Sequence, residues 1–173
     1  RRKARGFWLL TIGLLALVGC TQQPQQVRRL SEKQEPDSAL MAQMAFNMQM
    51  ASAADKACRE WVNNDSAAYV LDDFGFWYAK IIRQHADSLQ TGEHILLHMQ
   101  MSELDGSLVA DVEEPVVVGS GELPMAINRS IKQMSRGEQM RIIAPWYTAY
   151  GTEGTRIIKP YTNLVITLTI NNE

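Results

Sequence analysis

This sequence predicts an α+β domain: an antiparallel sheet curled around one short helix, with a longer helix ahead of it. Three stretches carry that prediction. Gln139–Ala144 is an apolar run of strand length, and Leu164–Ile170 sets Leu164, Ile166, Leu168 and Ile170 in alternation with Val165, Thr167 and Thr169. A period of two marks a half-buried strand. Pro124 heads a short segment whose Ile127 and Ile131 share a helical face, and proline suits the first helical position because its missing N–H costs nothing there. Upstream, Leu40, Met41, Met44, Met48, Ala51, Cys58 and Trp61 recur at helical spacing.

The 173 residues suffice for one ordinary domain with extensions, and 46% hydrophobic with 21% charged residues is a globular balance. The net charge of −2 is unevenly placed: Arg1, Arg2, Lys3 and Arg5 precede Cys20, and no acid does. The chain beyond Cys20 is distinctly acidic, which argues against a nucleic-acid partner.

Those four bases lead into the apolar run 6–19, shorter than the ~20 residues that span a bilayer. Leu17-Val18-Gly19-Cys20 resembles a bacterial lipobox. The resemblance implies a signal peptide over 1–19 and lipidation of Cys20. It implies a membrane anchor through that residue, with an outer-membrane lipoprotein facing the periplasm, since Thr21 rather than Asp comes next. Residues 20–36 read as the lipidated Cys and a polar Gln- and Pro-containing tether. Cys58 then has no partner for a disulfide and reads as a small buried hydrophobe.

Asp37 or Ser38 caps a helix running to about Val62, within a helical extension assigned to 37–65. Phe46 and Met50 widen its apolar surface beyond what a lone surface helix carries. The helix therefore packs on its own domain, on a second copy of the chain, or on an envelope partner. The domain proper is assigned to 66–173. An aromatic-rich strand spans 73–82, and an alternating strand over 94–102 puts Ile95, Leu97, Met99 and Met101 on one face. Asp105-Gly106 is a tight turn, and 115–118 a short strand. Glu113-Glu114 reads as a solvated edge. His94 and His98, four apart on a strand, stand roughly 13 Å apart and cannot share one ion. No metal or other cofactor is expected.

Between the last two strands lies a loop too apolar and aromatic for a solvent turn, carrying Trp146, Tyr147, Tyr150, Ile157, Ile158 and Pro160. It reads as the lining of a pocket. Gly137-Glu138, Pro145, Ala149-Tyr150-Gly151, Ile157-Ile158, and upstream His98 with Asp105-Gly106 and Met134 keep one order over about 74–171. In that order they resemble the FKBP-type peptidyl-prolyl cis-trans isomerases. The resemblance implies an FKBP-like half-barrel and rotation of X–Pro bonds in polypeptide substrates. It implies that Tyr150 bonds a substrate carbonyl, that Ile157 and Ile158 form the flap, and that Leu123 is a wall. Ile127 stands where the family has a floor Trp, Met99 where it has a Tyr, Val109-Ala110 where it has Phe-Asp, and Ile166 where it has a Phe. Pro124 replaces a residue whose N–H meets a ligand carbonyl. Catalytic roles fall to Tyr150, Ile127, Leu123 and Ile158, and substrate contacts to Met99, Val109, Ile157, Ile166 and Trp146. Trp146, Tyr147 and Tyr161 are expected to refill the rim.

Two functions are implied. One is an envelope-tethered isomerase that helps exported proteins fold. The other is an FKBP-like binding subunit of an envelope secretion or motility complex, held through helix 38–62 as a homodimer or by a partner.

Overall fold

The computed structural model describes residues 37–84 and 87–171. The signal segment 1–19, Cys20 and the tether to residue 36 lie outside them. Helix α1 (Ser38–Asn64) starts where Asp37 accepts the Ala39 N–H at 3.1 Å, one of the otherwise unpaired donors of a first turn. Six strands come after it: β1 (Val70–Leu71), β2 (Trp77–Ile82), β3 (His94–Glu103), β4 (Leu108–Val117), β5 (Gln139–Ala144) and β6 (Leu164–Ile170). They form one antiparallel sheet in the order β1-β2-β5-β6-β3-β4. Helix α2 (Met125–Ile131) sits between β4 and β5 in sequence, and a 3-10 turn covers Trp146–Thr148.

Three local expectations are revised. The aromatic run 73–82 is not one strand: Gly75, at φ +91°, turns the chain so that the Asp72 N–H reaches the Phe76 carbonyl at 2.8 Å. The carboxylate of Asp72 accepts from Arg129 Nε and Nη2 at 3.1 Å each, and that guanidinium lies 4.4 Å from the Phe74 ring centroid. Second, the strand around Pro115 is not short. β4 begins at Leu108 and tolerates Pro115 because it is an edge strand, where a missing N–H breaks no ladder. Third, Pro124 is the cap residue before α2 rather than its first helical residue.

The alternation in β5 and β6 sorts their side chains onto two covered faces. Met140, Ile142, Leu164, Ile166 and Leu168 join Leu97, Met99 and Met101 of β3 against Ala126, Ile127 and Ile131 of α2. Each fully buried aliphatic there contributes about 1.5–3 kcal/mol. Ile143 and Val165 point the other way and meet Cys58 of α1, flanked by Trp61, Val62, Tyr69, Trp77 and Leu104. The second half of α1 therefore packs on the sheet's other face, within the compact unit Pro36–Glu173. Its first half leaves Leu40, Met41, Met44 and Met48 exposed. Cys58 is fully buried; desolvation, then the charge of Asp55, pushes its thiol up to about 12.

Candidate active site

The pairing registers place Ile142, Ile166, Met101 and Ala110 side by side across β5, β6, β3 and β4. All four are buried, and they form a continuous apolar floor on the concave face. Ile127 of α2 packs into the same cluster. The loop 145–163 then folds back over it. Its backbone closes on itself: Gly151 N–H donates to the Trp146 carbonyl at 2.8 Å, Gly154 N–H to Tyr150 at 3.1 Å, and Tyr161 N–H to Gly151 at 3.1 Å. Thr155 and Ile158 close the tip, with Thr155 N–H on the Ile158 carbonyl at 2.8 Å and Ile158 N–H on Thr155 Oγ1 at 3.0 Å. This bonding drives Ile158 inward and turns Ile157 to solvent, at 2% and 59% exposure.

Tyr150 is half-buried against the floor, and its hydroxyl donates to Met101 Sδ at 3.5 Å. Burial, then the negative charge of Glu114, raises its pKa. The phenol therefore stays a protonated donor at neutral pH.

Seven of the nine residues singled out from the sequence meet in this one cluster. Tyr150, Val109 and Leu123 are its half-exposed members; Met99, Ile127, Ile158 and Ile166 are its buried ones. The expected hollow is filled instead: Met99, Met101, Ile127, Ile158 and Ile166 are each under 5% exposed. Two hollows of the described surface lie elsewhere, one of about 480 Å³ beside Leu89, Glu93 and Arg136, another of about 360 Å³ beside Glu103, Tyr161 and Asn163. Ile157 and Trp146 stand apart from the cluster. The Trp146 ring packs edge-on against Tyr147 and Tyr161, with centroids 5.5 and 4.8 Å away. Those two tyrosines are engaged by α1. The Tyr147 hydroxyl donates to Asp55, the Tyr161 hydroxyl to Asn47 at 2.8 Å, and Phe46 meets the Tyr161 ring at 5.5 Å. Of the three aromatics expected at a pocket rim, Tyr147 and Tyr161 fasten the loop to the helix.

Two residues of the site are not legible as such in the sequence. Alternation marks Met101 as an inward residue of β3, yet nothing in it tells that the sulfur takes the Tyr150 hydroxyl. Glu114, expected on a solvated edge, owes its direction to the register of β4, which begins seven residues earlier than expected.

The lack of an N–H at Pro124 has a local counterpart. The Leu123 carbonyl accepts from the Asn128 side chain and the Pro124 carbonyl from the Asn128 N–H at 2.9 Å, so Asn128 secures this entry to α2.

Residues 86–171 match the family model described as FKBP-type peptidyl-prolyl cis-trans isomerase. Among solved structures, the chain is similar to FkpA from Escherichia coli at a TM-score of 0.62 and 16% identity, covering 78% of this chain and 64% of that one. It is similar to a peptidyl-prolyl cis-trans isomerase from Pseudomonas syringae pv. tomato at 0.57 and 19%, covering 70% and 94%. It is also similar to AtFKBP13 at 0.56 and 15%, covering 61% and 98%. At these identities the likenesses speak to fold, and the chain spans about two-thirds of the length of FkpA. No curated protein matches the chain.

Proposed function

The chain belongs to the FKBP-type peptidyl-prolyl cis-trans isomerase family through residues 86–171, and from that premise we propose that it is a slow prolyl isomerase. In this reading it is held to the outer membrane by a lipid on Cys20 and acts on exported polypeptides in the periplasm. One observation carries the catalytic part: a protonated Tyr150 hydroxyl poised above an apolar floor, on a loop closed by its own backbone bonds.

Rotation about an X–Pro bond faces a barrier of ~18–20 kcal/mol because the amide has partial double-bond character. Water favours the planar, charge-separated amide, so a dry surface narrows the gap to the twisted one. A thioether is a weak acceptor. A substrate carbonyl can take the Tyr150 hydroxyl from Met101 with net gain, and the unbranched Met101 side chain can swing aside to admit the proline ring. Leu123 and Val109 flank the entry. The need to displace Met101 is why turnover is slow.

A protease-coupled assay of the soluble chain lacking residues 1–20, on X–Pro peptides, tests the proposal. Acceleration over the thermal rate that falls with Tyr150→Phe supports it; a rate at background for every peptide overturns it. Cys20 lipidation is read separately, by the mass of the membrane-extracted protein.

A second reading, a binding subunit in an envelope complex, is supported by the filled seat under Tyr150 together with the exposed Leu40, Met41, Met44 and Met48. Background turnover combined with stable co-purification of an envelope partner, or with dimerisation through α1, would favour it.

A further inference from the structure

Strand β4 carries three acids, and the sheet separates them. Asp111 lies opposite Gln100, and Glu113 opposite His98. Both are partnered: Asp111 accepts from Gln100 at 3.2 Å and pairs with His98 Nε2 at 2.6 Å, while Glu113 accepts from Asn171 at 2.8 Å. Glu114 lies opposite Leu97, a fully buried residue of the concave face. Directly opposed residues in an antiparallel pair share a face. Its neighbours two residues away on either side, Val112 and Val116, share that face as well, and Val116 is buried in the core cluster.

Glu114 thus stands on the same side of the sheet as Tyr150, exposed, and among the described residues its side chain has no hydrogen-bond or ion-pair partner. The cations of the Tyr150 loop do not meet it: Lys159 turns to Glu103 at 3.9 Å. After burial, its negative charge is the second cause that raises the Tyr150 pKa.

We propose that Glu114 is a specificity-determining residue of the site, which selects polypeptides carrying Lys or Arg beside the proline. This rests on the isomerase reading of the same site. A carboxylate at the rim of an apolar floor cannot be fully hydrated once a peptide covers it, so a cation on that peptide relieves it and an acid opposes it. A cation held about 4 Å away at the surface shifts affinity roughly fivefold or more.

The test uses the soluble chain lacking residues 1–20 and matched peptides with Lys, Ala or Glu next to proline, on either side. The wild type is expected to favour Lys over Glu by about tenfold or more in kcat/KM at low salt, shrinking as salt screens the charges. Glu114→Gln brings the Lys-to-Glu ratio near one, and Glu114→Lys inverts the order. An unchanged ratio in both variants overturns the proposal, as does an equal loss on all three peptides. If no peptide is turned over, the isomerase reading fails on its own, and peptide binding followed by tyrosine NMR signals decides here. Lys-selective binding lost in Glu114→Gln upholds the role of Glu114, and binding without charge preference, or no binding, ends it.

Discussion

The hydroxyl of Tyr150 donates to the sulfur of Met101 across 3.5 Å, and Met101 in turn lies between Ile166 and Ala110 in the buried row of the sheet. One side chain thereby fills the seat and occupies the donor. Met101→Ala should open that seat. It costs about 2–5 kcal/mol of stability, as removal of a buried Met commonly does, and should raise turnover on X–Pro peptides severalfold. Met101→Leu conserves the volume but removes the acceptor, so its turnover should stay near wild type. Turnover that drops in Met101→Ala, at a temperature where circular dichroism shows it folded, would mean that Met101 supports the site rather than blocks it.

Gly154 holds the flap. Its φ is +67°, and a Cβ there would run into the carbonyl oxygen of Ile158. Gly154→Ala therefore meets both an unfavourable backbone region and a backbone collision in the segment that turns Ile158 inward. Gly92, at φ +88° with no atom within 4 Å of where a Cβ would stand, is the comparison. Gly92→Ala should lose only the ~1–2 kcal/mol of the left-handed conformation and keep its activity. Gly154→Ala should lose more in thermal melts and at least tenfold in kcat/KM. Equal activity in the two variants would show that flap geometry is irrelevant to turnover.

The core is legible from the sequence because sheet alternation is a strong signal. Ile95, Leu97, Met99 and Met101 share one face of β3, and Leu164 to Ile170 form β6, as their alternation implies. The helix is legible in the spacing of its apolar residues, and Asp37 as its cap. The hidden features depend on pairing between distant strands. Only the register of β4 on β3 turns Glu114 toward the concave face, and a Pro at 115 argues locally for a shorter strand. Trp146, Tyr147 and Tyr161 look like pocket rings because aromatic composition says nothing of which neighbour they meet. For the two tyrosines that neighbour is α1, more than 90 residues away in sequence for Tyr147 and Asp55, and Trp146 meets the tyrosines themselves.

Glu138 gives the fold an acid limit. Its carboxylate is nearly buried, which by desolvation raises its pKa, but Lys80 Nζ at 2.8 Å and the N–H groups of Ser135 and Gln84 outweigh that and hold it below the ordinary 4.5. A folded-state pKa below the unfolded value stabilises the fold above the unfolded pKa, and this contribution is lost as pH falls through the folded value. Stability should therefore decline below about pH 4.5, and Glu138→Gln should flatten part of that decline while lowering stability at pH 7. Denaturant midpoints measured from pH 7 to pH 3 check this. Parallel curves for the two proteins would assign the acid limit to other carboxylates.

Helix α1 has two halves with separate consequences. Leu40, Met41 and Met44 are about half exposed and belong to neither cluster of the domain, whereas Phe46 and Asn47 meet Tyr161, and Cys58, Trp61 and Val62 cover Ile143 and Val165. Deleting residues 21–45 removes the Asp37 cap and should thus cost only about 0.5–2 kcal/mol of stability, leave turnover near that of the intact chain, and convert any dimer to monomer in sedimentation equilibrium. Deleting residues 21–62 should do far more. It uncovers Ile143 and Val165, each worth about 1.5–3 kcal/mol of burial, and releases Tyr147 and Tyr161 from Asp55 and Asn47, so the loop carrying Tyr150 loses its fastening. That product should aggregate or melt well below the intact chain. Cys58 reports the same packing in the full chain: buried, with its thiol pushed up to about 12, it should resist thiol reagents until the protein unfolds. A 21–62 deletion that melts like the parent, or rapid native labelling of Cys58, would show that α1 does not cover the sheet in solution.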